Sequence, residues 1–87
     1  MNNLSSSPVA WDEYLYWQTQ DKKTLKRINQ LLKDIQRSNF EGIGKPEPLR
    51  HRDNCWSRRI DEKNRLVYFV GKDNDIMVVS LRGHYED

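Results

Sequence analysis

The chain has 87 residues, about one domain's length. Its 32 % charged and 36 % hydrophobic residues make it polar, yet three Trp, four Tyr and two Phe are too many for a disordered chain. The net charge of +2 conceals an asymmetry: residues 1–21 are acidic, 22–45 strongly basic, 46–65 mildly basic and 66–87 acidic. A basic middle between acidic ends suits a polyanion on one face. For 22–45 alone, a solvated helix face is the better explanation of the lysines.

No apolar run approaches the ~20 residues of a bilayer span, and no membrane association is expected. The segment MNNLSSSPVAW has neither the basic region nor the apolar block of a secretory signal. One cysteine, Cys55, leaves no internal disulfide framework and no cysteine zinc cluster. The cytosol is the expected location.

Ser7-Pro8 opens a helix, with Ser as cap and Pro at the first helical position. The helix is predicted over 8–19, with Asp12 and Glu13 in or near its first turn. Trp11, Tyr14, Leu15 and Gln18 follow one face, which Tyr16 and Trp17 widen. A second helix is predicted over 22–37, because Leu25, Ile28, Leu31, Leu32 and Ile35 recur at helical spacing. Asp21 is its expected cap. FEGIGKPEPL, with two Gly and two Pro, is a shaped loop. Strands follow. Trp56 to Ile60 alternates, with Trp56, Arg58 and Ile60 on one side. A turn at 61–64 leads into Arg65–Val70, rich in strand formers. A second turn at 71–74 leads into Ile76–Leu81, placed centrally because it is largely apolar. The predicted fold is α+β, a single domain over 1–87. Two N-terminal helices pack on a twisted antiparallel sheet of three to four strands. The pattern also allows a short first strand before Ser7, although Asn2, Asn3, Ser5 and Ser6 are poor strand formers.

No metal-ligand spacing or phosphate-loop pattern is present, so no metal or cofactor is expected. Cys55 reads as a small buried hydrophobe. What remains is Glu47, Arg65, His84 and Tyr85, with Lys45, Arg50, Arg58 and Arg59 as basic support expected to bind RNA or the ribosome. Such a set suits metal-independent RNA cleavage. A carboxylate takes the 2′-hydroxyl proton, an imidazole protonates the leaving 5′-oxygen, and a guanidinium matches charge developing on the phosphate. Tyr85 would stack on a base or orient the phosphate. Duller readings stand beside these. Glu47 is a solvated loop carboxylate, Arg65 pairs with Asp61 or Glu62, His84 is simply exposed, and Tyr85 covers a sheet edge.

The stretches AWDEYLYWQTQDKKTLKRIN, LLKDIQR, FEGIGKPEPL, WSRRI, NRLVYFV and the HY at 84–85 together resemble the YoeB toxins of the RelE/ParE superfamily. The resemblance covers most of the chain from residue 10 onward. It implies two helices against a twisted antiparallel sheet. It also implies a ribosome-dependent mRNA endonuclease that cleaves the codon in the 30S A site and arrests translation. Further implications are a YefM-type antitoxin, homodimers, and contact with DNA only indirectly through the antitoxin complex. Matched position by position, Glu47 is the general base, Arg65 the phosphate-stabilising arginine, His84 the general acid and Tyr85 the tyrosine that shapes the site. Lys45, Arg50 and Arg59 match positions expected to contact mRNA or ribosomal RNA. This chain departs from the family's pattern at its polar start, at Arg52-Asp53-Asn54-Cys55, at Lys63, and in carrying Glu86-Asp87 after the tyrosine. That acidic pair is expected to favour protonated His84. Two other readings are a non-catalytic ribosome or RNA binder on the same fold and a ParE-like gyrase poison. Neither accounts for the Glu, Arg, His and Tyr set.

Overall fold

The structure, a computed structural model, describes residues 3–83. The expectations placed on His84, Tyr85 and the Glu86-Asp87 pair therefore lie outside the described residues. In chain order the elements are β1 (Leu4–Ser6), α1 (Pro8–Gln20), α2 (Lys22–Arg37), β2 (Glu47–Pro48), β3 (Cys55–Arg59), β4 (Arg65–Val70) and β5 (Ile76–Ser80).

Ser7 starts α1: its Oγ accepts the Ala10 N–H at 3.0 Å and donates to the Val79 carbonyl at 2.8 Å. One side chain thus caps the helix and ties it to β5. The first turn of α1 contains no acidic residue. Glu13 instead reaches back to accept the Leu81 N–H at 2.8 Å, satisfying a backbone donor at the end of β5. The buried stripe of α1 also differs from expectation. Ala10 and Trp17 face the core, while Trp11 and Leu15 are exposed. Trp17 fits the interior because its indole N–H donates to the Leu81 carbonyl at 2.8 Å. Asp21 ends α1 and starts α2, its carboxylate accepting the N–H groups of Lys23 and Thr24. In α2 the predicted spacing holds: Ile28, Leu31 and Ile35 are buried, and Leu25 and Leu32 pack at the margin.

Among the described residues the sheet has five strands in the order β1-β5-β4-β3-β2. It is mixed rather than wholly antiparallel, because β1 runs parallel to β5, with Leu4 opposite Ile76. Ser5 and Ser6 are poor strand formers, but the outer edge of β5 offers them a ladder, and pairing overrides propensity. β5 is interior, but the middle position belongs to β4, which pairs antiparallel with β5 and β3. A register shift between Val67 and Tyr68 bends the β4–β5 ladder.

Strand alternation divides the residues between two faces. Leu66, Tyr68 and Val70 of β4 join Ile76 and Val78 of β5 and the α2 side chains in one core, with Trp56 packed against it. Their neighbours in sequence point away from the helices. Across β2, β3 and β4 these are Glu47, Ser57 and Val67, aligned in register, with Arg59 opposite Arg65 beside them.

Candidate active site on the sheet face away from the helices

Glu47 sits on the edge strand β2, and its position depends on the loop before it. That loop is gathered by Arg58, which is wholly buried. The Arg58 guanidinium donates to Asp34 Oδ2 at 2.6 Å and to the carbonyls of Ser38, Glu41 and Ile43 at 2.7, 3.0 and 3.3 Å. Its Nε donates to the Tyr68 hydroxyl at 3.2 Å, and that hydroxyl donates to the Asn39 carbonyl at 2.7 Å. The expectation that Arg58 contacts RNA is corrected here. It lies on the helix side of β3, and every nitrogen of its side chain is engaged internally. Burial alone would push the Asp34 carboxyl up, but hydrogen bonds from Arg37, the Ile43 N–H and Arg58 prevail and hold it at about 2. Gly42 is required at this node. A Cβ there would lie 1.9 Å from Asp34 Oδ2, and its φ of 130° disfavours any L side chain.

Downstream of this node the carboxylate of Glu47 is exposed, and it faces Arg65 across β3. Arg65 Nη2 lies 4.0 Å from Glu47 Oε2, with the arginine side chain only 12 % exposed. Arg65 Nε donates to Ser57 Oγ at 3.0 Å. Ser57 is buried between the two functional strands and fixes one edge of the guanidinium. Nη2 is buried and makes no hydrogen bond among the described residues. The sequence alternative of an Arg65 pair with Asp61 or Glu62 is replaced by this pairing with Glu47. Asp61 is taken by its own turn, accepting the N–H groups of Lys63 and Asn64 at 2.8 and 2.7 Å.

The remaining basic positions surround this pair unevenly. Arg59 is exposed on the same face as Arg65. Lys45 is exposed two residues before Glu47, in a turn with φ of 51°. Arg50 is exposed in the connection that follows β2. The C-terminal end of the described chain also arrives here: the Arg65 N–H donates to the Gly83 carbonyl at 3.0 Å. Gly83 is followed in the sequence by His84. Cys55 is buried, and burial pushes its thiol up against a smaller opposing influence from Arg52. Among the described residues no three His, Cys, Asp or Glu side chains cluster as metal ligands would.

Sequence reasoning missed two residues at this site. Ser57 was signalled by the alternation of WSRRI, which puts it opposite Trp56 and Arg58 and hence on the Arg65 face. Asn64 had no comparable signal: Asp61 lies in its own turn, but Gly83, the partner that links it to the end of the chain, is 19 residues away.

Chains of the same architecture are found among bacterial toxins. The solved YoeB dimer from Staphylococcus aureus is 48 % identical, superposes with a TM-score of 0.89, and covers 97 % of this chain and 98 % of its own. The YoeB–YefM complex from the same organism contains a chain 46 % identical, with a TM-score of 0.86 over 98 % of this chain and 99 % of its own. Toxin YoeB of Escherichia coli strain K12 is 52 % identical over 80 residues, 91 % of this chain and 94 % of that one. The class is thus that of toxins of type II toxin–antitoxin systems. Residues 6–85 match the family pattern of the YoeB-like toxin of bacterial type II toxin-antitoxin system, and this chain belongs to that family.

Proposed function

We propose that this toxin is an endoribonuclease that cleaves mRNA in the A site of the 30S ribosomal subunit and thereby stops translation. The observation that carries the reading is the convergence of Glu47 and Arg65. An exposed carboxylate faces a guanidinium that is held along one edge, with its Nη2 making no hydrogen bond among the described residues. A buried guanidinium N–H without an acceptor is costly. A phosphate oxygen drawn into the site would supply one.

In the proposed reaction Glu47 takes the proton of a ribose 2′-hydroxyl. The oxygen attacks the adjacent phosphorus in line, and the bond to the 5′-oxygen breaks. His84 delivers a proton to that leaving oxygen, so the products are a 2′,3′-cyclic phosphate and a 5′-hydroxyl. Arg65 stabilises charge on the phosphate as it develops, and Tyr85 orients the phosphate or stacks on a base. Lys45, Arg50 and Arg59 hold the RNA backbone through charge. The Staphylococcus relatives occur as a dimer and in complex with YefM. By analogy this chain pairs with a YefM-like antitoxin and with a second copy of itself, and its substrate places it in the cytoplasm.

The test is to express the chain in a cell-free translation system and map the 5′ ends of the mRNA. Cuts within the A-site codon, lost in Glu47→Ala and His84→Ala, are the expected result. Stalled ribosomes carrying intact mRNA would replace this reading with a non-catalytic ribosome binder. DNA breaks would point to a gyrase poison.

A further inference from the structure

Asn64 occupies a junction that the proposed chemistry does not itself explain. It is the last residue of the turn before Arg65, and it bonds in two directions. Its Nδ2 donates to Asp61 Oδ1 and Oδ2 at 3.1 and 3.2 Å, and its Oδ1 accepts the Gly83 N–H at 2.8 Å. The next residue completes the link, its N–H donating to the Gly83 carbonyl at 3.0 Å. Gly83 is therefore held at both its N–H and its carbonyl, the first by the Asn64 side chain and the second by the Arg65 backbone. Its φ of 92° is one that L side chains rarely adopt. Asp61 in turn fixes the asparagine amide. It accepts the N–H groups of Lys63 and Asn64, and hydrogen bonds from this turn hold its carboxyl below the ordinary range despite the opposing effect of burial.

We infer that Asn64 is a positioning residue. With Asp61 it fixes Gly83 against the Arg65 backbone, and so the point from which the chain continues to His84, the general acid of the proposed reaction. The inference rests on the nuclease reading above. Its physical basis is that the base and the guanidinium lie on the sheet, whereas the acid follows β5 in the sequence. Among the described residues no strand pairing extends beyond Ser80: Leu81 is held by Glu13 and Trp17 of α1, and Gly83 by Asn64 and the Arg65 backbone. A misplacement of about 1 Å is enough to cost ~10²-fold in rate.

The experiment compares the full-length wild type with Asn64→Ala, Asn64→Asp and, as a control in the same turn, Glu62→Ala. Two readouts are used. Single-turnover cleavage of ribosome-bound mRNA is followed against pH and against ribosome concentration, and amide hydrogen exchange is followed at Gly83 and Arg65. Asn64→Ala is expected to lose protection at Gly83. Its cleavage rate should fall about 10²-fold at saturating ribosomes, with little change in the half-saturating concentration. Asn64→Asp keeps the acceptor for Gly83 but faces the Asp61 carboxylate, so it should recover part of the Gly83 protection and part of the rate. Glu62→Ala should match wild type in both readouts. Wild-type cleavage combined with an equally fast Asn64→Ala overturns the inference and leaves the nuclease reading intact. Retained Gly83 protection in Asn64→Ala overturns it as well. A wild type that binds programmed ribosomes without cutting overturns both readings together.

Discussion

Arg65 and Glu47 show how two charged residues can share a site without neutralising each other. At 4.0 Å their closest atoms are beyond hydrogen-bond distance, and the guanidinium is held by Ser57 rather than by the carboxylate. In the proposed reaction this leaves the exposed carboxylate able to take a proton and the arginine with donor capacity for a phosphate. A lysine carries the same charge but lacks the planar fork that bonds Ser57 on one edge and reaches forward on the other. Arg65→Lys is therefore expected to lower single-turnover cleavage by about 10²–10³-fold, the usual cost of losing an aligned transition-state donor. Circular dichroism should show an intact fold. Wild-type rates in this variant would mean that charge alone, not the geometry of the fork, serves the phosphate. Ser57→Ala is the milder counterpart: it frees the guanidinium without removing it, and a rate loss smaller than that of Arg65→Lys is expected in the same assay.

Among the elements, the two helices meet at one residue with two functions. Asp21 donates its N–H to the Trp17 carbonyl and caps α2 through the Lys23 and Thr24 N–H groups and the Thr24 hydroxyl. The hydrogen bonds from Thr24, its side chain first, lower the Asp21 carboxyl against a weaker effect of desolvation. Asp21→Ala should lower the urea midpoint at neutral pH, because the first turn of α2 loses the acceptor for its N–H groups. The sign of the pH effect follows from the lowered folded-state value. The contribution is present above the ordinary carboxyl value of 3.8 and is lost as pH falls through the depressed one. The difference between wild type and variant should therefore shrink in acid, and a constant difference down to pH 2 would rule out an ionised cap.

For the molecule as a whole, the Asp34–Arg58–Tyr68 network joins α2, the 38–46 loop and the sheet core. Arg58 is fully buried, so removing its carboxylate partner strands a charge in the interior. Asp34→Ala is expected to destabilise the protein by roughly 3–5 kcal/mol. It should also loosen the loop that carries Glu47, lowering cleavage in the protein that remains folded. With the Asp34 carboxyl held at about 2 against 3.8 when unperturbed, its share of stability is complete above about pH 4 and is lost as pH falls through 2. Acid unfolding of the wild type followed by tryptophan fluorescence should steepen in that window, and the step should be missing in Asp34→Asn.

Much of the architecture was legible in the chain itself. Pro8, the Asp21 cap and the spacing of Ile28, Leu31 and Ile35 are local signals, and so is the β-forming run at 65–70. The helices and the middle strand follow from them because neighbouring residues bear on each other directly. The resemblance carried by FEGIGKPEPL and WSRRI likewise pointed to the family. Three features needed the folded chain. β1 exists because β5 leaves an edge unpaired: the short first strand that the sequence allowed before Ser7 owes its pairing to that edge and not to the strand propensity of Leu4-Ser5-Ser6. Arg58 reads as a surface base in a strand, yet its acceptors come from α2, the loop after it and β4, so only their convergence reveals a buried organiser. The approach of Glu47 to Arg65 was likewise decided by register across β3, where a slip of one residue would have turned either side chain into the core. The sequence by itself determined the two helices, the inner strands and which residues carry charge and proton-transfer capacity. The tertiary structure alone decided which of those charges face each other and which are consumed inside, because that depends on contacts between residues far apart in the chain.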